Sequence, residues 1–343
     1  MTEDRIFILF TNSKAVAGSR RAIICDLQRG NFDFIPNDLF KILSLHKNKN
    51  LKQIRNIYVG SESIIDDYFS FLVSNDYGFW GDLGDQILFP DLDMTWCTPS
   101  RITHSIIDID EKSNHNFEDI FTELETIGCK DLQIRAYCEI SISNLDRILS
   151  MLLNSRIKSI ELITKYSELI YLEELQRLTM KHLRMRNLII HSSPDDKLAV
   201  INKNGRGNII YVSDRINAAS HCGIIAPSTF VVNLPTFIES QKNNSCLNGK
   251  ISIDVEGNIK NCPSMTKSFG FAGKDSLKDV SLKEEFQNAW YINKEQIEIC
   301  RDCEFRYICT DCRAYLKDSS NPNSKPLKCA YDPYTAKWLN EKV

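Results

Sequence analysis

The chain of 343 residues has no run of about 18 or more consecutive apolar residues, so we expect no membrane-spanning helix. Its first residues, Met1 to Arg5, do not begin a basic segment followed by a long apolar stretch, so we expect no signal peptide. The formal net charge is only -3, and no basic stripe suited to nucleic acid is present. Together these absences predict a cytoplasmic protein that binds neither a membrane nor nucleic acid.

Familiar catalytic signatures are also missing. The sequence has no GxxxxGK[ST] phosphate loop, no GxGxxG dinucleotide motif, no HExxH zinc motif and no GxSxG nucleophile motif. The 6 histidines are scattered along the chain. The composition, with 43% hydrophobic and 25% charged residues, is that of a globular protein long enough for two or three domains.

Cysteine is what the sequence has in excess. It contains 12 cysteines, and disulfides rarely persist in a reducing compartment. Clustered cysteines in a cytosolic protein indicate metal. Seven of the twelve follow the pattern Cys246-x15-Cys262, Cys300-x2-Cys303-x5-Cys309-x2-Cys312 and a final Cys329.

Two kinds of metal site fit these thiolates, because soft sulfur ligands select zinc or iron–sulfur clusters as well as copper(I). The two C-x2-C pairs resemble a zinc ribbon. Ribbons, however, usually separate their pairs by about 12 or more residues, and the x5 gap suits a bulkier cluster. Seven thiolates exceed one tetrahedral set, which favours two centres. Spacing alone leaves structural zinc and iron–sulfur both open.

Residues 1–92 are predicted to form the first domain. Three strands followed by three helices indicate a compact winged-helix-like unit, with a small wing at 81–90. The predicted strands lie at Phe7–Phe10, Arg21–Asp26 and Phe32–Ile35, and the helices begin at Pro36 and lie near Leu51–Ile57 and Ile65–Leu72.

Residues 93–235 alternate strands and helices, which predicts a parallel α/β sheet of about five strands with crossover helices, as a partial barrel or an open sheet. Residues 236–343 begin with a hairpin that turns at Glu256-Gly257 and continue as a cysteine-rich region of loops. The predicted middle elements are strands Ile102–Ile109, Leu132–Ala136, Ile160–Ile163 and Leu188–Ile190 and helices Phe117–Ile127, Leu145–Leu152 and Leu172–Met180.

The cysteine spacing resembles the SPASM domain, the C-terminal module of radical-SAM peptide maturases, which carries two [4Fe–4S] clusters. The hairpin, Gly257 five residues before Cys262, and the x2 and x5 spacings all fit, but the fourth cysteine of the run comes one residue early. The resemblance implies one cluster on Cys300, Cys303, Cys309 and Cys329 and another on Cys246, Cys262 and Cys312.

The second of these clusters would be one ligand short. Cys222, in His221-Cys222-Gly223, is the candidate for the fourth position. A buried free cysteine at 222, or an open iron that binds substrate, are the alternatives.

The middle region resembles a radical-SAM barrel that lacks its catalytic motif. That family binds its catalytic cluster through C-x3-C-x2-C after the first barrel strand, but here Asp110-Glu111-Lys112-Ser113 follows Ile109. The remaining cysteines, Cys25, Cys97, Cys129 and Cys138, do not form that spacing. We therefore expect a degenerate barrel that does not use S-adenosylmethionine.

The first region is similar to the PqqD-like recognition elements of ribosomal-peptide pathways, through residues 22–27, 30–36 and the helix at 65–72. In that family a leader peptide adds as a strand beside the third strand and rests on the third helix. An ordinary winged-helix packing domain is the alternative. The resemblance implies peptide contacts at Phe32, Phe34, Ile35, Tyr68 and Leu72.

The whole chain resembles the SPASM-domain member of grasp-with-spasm peptide maturation systems, through residues 23–29, 221–223, 250–254, 262–265 and 303–307. This implies a precursor peptide and an ATP-grasp peptide ligase as partners. Three functions stay open: a noncatalytic adaptor that presents the precursor, a redox or Lewis-acid enzyme that uses an under-ligated cluster, and a zinc-stapled binding protein.

Overall fold

The computed structural model describes residues 4–200 and 207–339. The elements of its N-terminal unit are β1 (Ile6–Leu9), β2 (Ser13–Ala17), β3 (Ala22–Asp26), β4 (Asn31–Ile35), α1 (Asn37–Leu45), α2 (Leu51–Ile57), α3 (Glu62–Ser74) and β5 (Gly78–Gly81). In this unit β1 pairs with β5, and β2, β3 and β4 form a separate antiparallel sheet in that order.

The strands of this unit differ from the three that the sequence predicts. The predicted strand at Phe7–Phe10 exists as β1, but β1 pairs with β5, and the small sheet contains β2 instead. The sequence pattern missed β2 because its lysine and alanines are poor strand formers. β2 forms because every one of its residues pairs with β3 and Val16 is buried. The predicted helices are present, and α2 has the predicted bounds.

A large, mostly parallel sheet forms the middle of the molecule. Strands β6, β7, β8, β9 and β11 are parallel neighbours, and β10 pairs antiparallel with β11. The predicted α/β sheet with crossover helices is therefore confirmed. Its elements are β6 (His104–Ile109), α4 (Phe117–Thr126), β7 (Asp131–Ala136), α5 (Ile142–Ser150), β8 (Ser159–Lys165), α6 (Leu172–Lys181), β9 (Met185–His191), β10 (Lys197–Val200) and β11 (Asn208–Tyr211).

One face of this sheet packs on the helices. Asn116 and Ser141 cap α4 and α5 by accepting backbone N–H bonds. Because successive strand residues point to opposite faces, Asp108 and Arg135 lie on the other side of the sheet. In the described parts of the chain, no helix combines the length and apolarity needed to span a bilayer. The core between sheet and helices includes Ile107, Ile134, Leu162, Leu188, Leu124, Leu149 and Leu178.

The predicted hairpin of the C-terminal region belongs to the same sheet, because β12 lies parallel to β6. One sheet and one core therefore continue across the predicted boundary at 235, and the division into three domains stays a prediction. The remaining elements are α7 (Leu234–Glu239), β12 (Lys250–Ile253), β13 (Asn258–Lys260), β14 (Gly270–Phe271), α8 (Leu277–Leu282), α9 (Glu284–Gln287), β15 (Tyr331–Asp332) and β16 (Lys337–Trp338).

The small sheet of β2, β3 and β4 is covered on both faces. On one face Ile24 packs with α1, α2 and α3. On the other face Ile23 and Cys25 pack with Phe305 and Ile308 of the cysteine-rich region. The N-terminal unit is thus joined by a continuous apolar core to the segment that contains the C-terminal cysteines.

Replacing Cys129 tests the packing of the large core through pH. Burial raises the pKa of Cys129 to about 12, whereas an unfolded cysteine titrates near about 8.5. The protonated thiol contributes stability that is fully present below the unfolded pKa and is lost as pH rises toward the folded value.

We expect Cys129→Ala to flatten the decline in unfolding free energy between about pH 9 and 11, by up to about 1.4 kcal/mol per pH unit. Urea unfolding at several pH values measures this slope. Cys97→Ala, at an exposed position, is the control. An unchanged slope in Cys129→Ala would show that this thiol is not held neutral by the fold.

Candidate cysteine-ligated metal centres

The first set of thiols comprises Cys300, Cys303, Cys309 and Cys329. A 3-10 turn at Cys300 lets the Cys303 N–H donate to the Cys300 carbonyl at 3.0 Å. Burial raises the pKa of Cys309 to about 12, Lys294 lowers it, and Cys300 and Cys329 raise it further. Burial also raises the pKa of Cys303, to which Cys309 and Cys300 add. The four thiols therefore lie within electrostatic range of one another.

The second set comprises Cys222, Cys246, Cys262 and Cys312. Burial raises the pKa of Cys262 to about 11, with Lys250 lowering it and Cys246 and Cys222 raising it. Burial likewise raises the pKa of Cys312, backbone N–H groups lower it, and Cys246 and Cys222 raise it. Cys222 thus lies within electrostatic range of Cys262 and Cys312, two of the three cysteines predicted to lack a fourth ligand.

Gly223 packs closely against Cys312. It has φ +89°, a conformation that L side chains rarely adopt. A Cβ at this position would lie 2.8 Å from the Cys312 sulfur. Glycine at 223 therefore allows the backbone after Cys222 to pass close to the Cys312 side chain.

A buried asparagine connects the segments that contain the two sets. Asn244 accepts hydrogen bonds from the backbone N–H groups of Cys246, at 3.0 Å, and Leu247, at 2.9 Å. Its amide nitrogen donates to Asp311 at 2.6 Å, and Asp311 stands between Cys309 and Cys312. Asn244 therefore fixes the position of a second-set cysteine relative to the segment shared by both sets.

Each set has a buried ammonium beside it. Lys250 is 6% exposed, and its Nζ lies 3.1 Å from the Cys246 sulfur. Lys294 is 3% exposed and lies 4.0 Å from the Cys300 sulfur and 3.1 Å from Asp311. Within residues 4–200 and 207–339, no carboxylate forms an ion pair with Lys250. Since an unpaired buried charge is costly, the thiols facing Lys250 are suited to an anionic state.

The sequence analysis missed these lysines and the carboxylate between the sets. Asp311 is 2% exposed and accepts from Arg313 Nη2 at 2.9 Å in addition to its bond from Asn244. A charged residue between two cysteines looks like a solvated loop position in the sequence. Only its burial beside Lys294 and Arg313 reveals the network.

A polar cluster at the carboxyl ends of β6 and β7 adjoins the second set. Asp108 accepts from Arg135 Nε at 2.7 Å, from Arg135 Nη2 at 2.8 Å and from the Tyr137 hydroxyl at 2.7 Å. Burial raises the pKa of Asp108, and Arg135 opposes that rise. Cys222 is near enough to raise the pKa of Tyr137, whose largest cause is burial. Cys222 of the second set therefore lies near this polar cluster.

The residues predicted to contact a peptide are only partly available. Phe34 on β4 is 49% exposed, and the Arg21 guanidinium lies 3.6 Å from its ring centroid. The Phe32 ring packs against Phe34, Phe230 and Phe305. Side chains on this part of β4 are thus engaged with the chain itself.

Two of the predicted contact residues are core residues. Ile35 is 3% exposed and Leu72 is 0% exposed, both in the core between the small sheet and its helices. The apolar stripe that predicts α3 is also what buries Leu72, so this residue cannot form a surface contact. Tyr68 is half-buried on the same helix, where burial and then Asp38 raise its pKa.

The cysteines are all free thiols in the described residues. Across residues 4–200 and 207–339, no group of three or more His, Cys, Asp or Glu side chains is arranged to hold a single metal ion. Cys25, Cys97, Cys129 and Cys138 belong to neither set, and burial raises the pKa of Cys25 to about 12.

Comparisons with known proteins found little similarity. No protein-family model matches the chain, and no curated protein matches it. Among solved structures, the chain matches the crystal structure of Streptococcus suis SuiB bound to precursor peptide SuiA. The match has a TM-score of 0.34 and 10% sequence identity, and it covers 93% of this chain and 98% of that chain. At that TM-score the likeness does not establish a common fold.

Removing the carboxylate between the two sets should destabilise the protein strongly. Asp311→Ala leaves Lys294 and Arg313 buried without their carboxylate, and breaking such a network costs about 3–5 kcal/mol. Denaturant unfolding of the metal-free protein measures the loss. Glu285→Ala, which removes an exposed partner of Lys267, is the control and should cost no more than about 1 kcal/mol. Equal losses in the two variants would contradict the role given to Asp311.

Proposed function

We propose that the protein holds two [4Fe–4S] clusters and serves in the maturation of a ribosomally synthesised peptide. The cluster part is supported by two buried ammonium groups beside cysteine sulfurs, Lys250 at Cys246 and Lys294 at Cys300, and by the electrostatic proximity of further cysteines to each. Thiolates are the ligands of such clusters. Cys300, Cys303, Cys309 and Cys329 would hold one, and Cys222, Cys246, Cys262 and Cys312 the other.

The clusters would act first as structural staples of the loop-rich C-terminal region. Lys250 and Lys294 supply positive charge beside the thiolates, which favours the deprotonated state that metal binding requires. The first set also supports the N-terminal unit. Arg21 donates to the buried Glu304 at 2.8 Å, and the Ser19 N–H donates to the Asp302 carbonyl at 2.7 Å.

The peptide part of the proposal is an adaptor role. The N-terminal unit would bind the leader of the precursor, and the rest of the molecule would present the precursor to a partner ATP-grasp ligase. The chain-wide resemblance to grasp-with-spasm systems supports these partners. With Cys222 as a fourth ligand the second cluster would have no open iron, which would favour an adaptor over a Lewis-acid enzyme.

A redox enzyme is the second candidate, because Cys222 is exposed and brings the second set to the surface. Electron transfer to or from a bound peptide needs such access. An unchanged spectrum of the second cluster on adding precursor, together with an unchanged peptide mass, would exclude this candidate. A precursor ligated equally well by the partner enzyme without this protein would exclude the adaptor.

Anaerobic purification followed by iron, sulfide and zinc analysis tests the cluster proposal. About eight irons with matching sulfide per chain are expected for two clusters of four irons. One or two zincs without sulfide would contradict it and favour the zinc-stapled binding protein.

Cys222→Ala tests the fourth ligand of the second set. Loss of one thiolate should lower the iron content from about eight to between about four and seven per chain and should leave the first cluster intact. Iron analysis and electron paramagnetic resonance of the reduced protein give the readout. Cys97→Ala, another exposed cysteine outside both sets, is the matched control. Full iron content and unchanged spectra in Cys222→Ala would remove Cys222 from the ligand set.

A further inference from the structure

A groove in the N-terminal unit lies between β1 and β2. The two strands follow each other in sequence, but after the turn closed by the Ser13 N–H and the Phe10 carbonyl at 2.8 Å they separate into different sheets. A cavity of about 230 Å³ opens between them. One end is closed by the Thr11 hydroxyl, which donates to the Pro90 carbonyl at 3.0 Å.

Both strands present an unpaired edge to this groove. β2 pairs with β3 alone, and β1 pairs with β5 and otherwise forms a single bridge between Ile6 and Asn50, as far as the described residues extend. Backbone groups alternate in direction along an antiparallel strand. The Phe10 N–H points to the β5 side and the Arg5 carbonyl to the other side. The backbone groups of Phe7 and Leu9 therefore face the groove, where an extended peptide can pair with them.

The groove has an apolar floor and a cationic rim. The rim carries three lysines, Lys14, Lys47 and Lys49, and one carboxylate, Asp91. Lys47 Nζ donates to both oxygens of Asp91 at 2.8 Å. No carboxylate forms an ion pair with Lys14 among the described residues. Burial lowers the pKa of Lys14, Asp91 opposes this, and Lys47 adds to it. The lining side chains include Phe7, Leu43, Phe69 and Phe89 on the floor and Lys14, His46, Lys47, Lys49 and Asp91 on the rim.

The volume, the strand edges and the charge of the groove indicate which kind of ligand it can bind. The volume of about 230 Å³ is below the range of about 300–1,000 Å³ typical of small-molecule pockets, and it suits one or two side chains of a longer molecule. The unpaired strand edges match an extended peptide backbone. The rim carries Lys14, Lys47 and Lys49 but only the carboxylate of Asp91 among the described lining residues, so it matches an acidic side chain. By contrast, Phe32 and Phe34 on β4 already make edge-to-face contacts with the Phe305 ring.

We propose that the groove between β1 and β2, and not the outer edge of β4, binds the leader peptide. The leader would lie extended along a free strand edge, place a large apolar side chain on the phenylalanine floor and pair an Asp or Glu with Lys14. This inference rests on the proposed function in one respect, namely that the bound peptide is the precursor's leader. The groove's preference for acidic, apolar peptides follows from its own residues.

Two pools of fluorescein-labelled ten-residue peptides test the proposal with the full-length, metal-loaded protein. One pool fixes an Asp two residues from a Phe, and the other replaces that Asp by Lys. Fluorescence anisotropy should show tighter binding of the acidic pool. Lys14→Glu should weaken this binding about tenfold or more and restore binding of the Lys pool. Lys14→Ala, a milder change, should weaken the acidic pool without restoring the other.

Two controls separate the groove from other surfaces. Lys41→Glu reverses an exposed charge on α1 outside the groove, and Phe34→Ala removes the exposed ring on β4. Both should change affinity by less than about twofold. Hydrogen exchange should show peptide-dependent protection of the Phe7 and Leu9 amides.

The outcomes also separate this inference from the cluster proposal. Binding that is insensitive to Lys14→Glu but lost in Phe34→Ala would place the leader on β4 and overturn the groove. The absence of binding by the acidic pool to the wild-type protein would overturn it as well. Iron content is measured on the same samples, so a failure of the cluster proposal would appear as missing iron while groove binding persists.

Discussion

The structure of the C-terminal third depends on placing positive charge beside buried sulfur. Lys250 and Lys294 are almost fully buried, and each faces cysteine thiols. An ammonium is stable in such a place only with a compensating negative charge. For Lys294 part of that charge comes from Asp311, and Lys250 faces the Cys246 sulfur and lies within electrostatic range of Glu239. In the proposed cluster, thiolates of the second set would supply the remaining negative charge beside Lys250.

The rest of the molecule is arranged around these thiols. β12 extends the parallel sheet and places Lys250 at the second set. The first set is packed against the small sheet of the N-terminal unit through Phe305 and Ile23. The same packing engages the aromatic side chains of β4, whereas the groove between β1 and β2 combines unpaired strand edges, an apolar floor and an excess of lysines over carboxylates.

Much of this could be predicted from local sequence. The alternation of apolar segments predicts β6 to β9 and their helices, because each pattern reflects one buried face. The assignment of Cys300, Cys303, Cys309 and Cys329 to one set comes from the resemblance to the SPASM domain and stays a prediction. Features that depend on distant residues could not be predicted. These are the pairing of β12 with β6, the pairing of β1 with β5 and of β2 with β3, and the burial of Lys250. Leu72 shows a further limit of prediction from sequence. An apolar stripe predicts a helix, but it does not show whether the apolar face of that helix packs in the core or binds a ligand.

The central claim, that each set of four thiols surrounds a cluster, is tested most directly by X-ray absorption at the iron edge of the anaerobically purified protein. The account predicts sulfur neighbours together with an iron–iron scattering path, as a multinuclear iron–sulfur cluster requires. Iron with sulfur neighbours alone, or a zinc edge in place of iron, would contradict it.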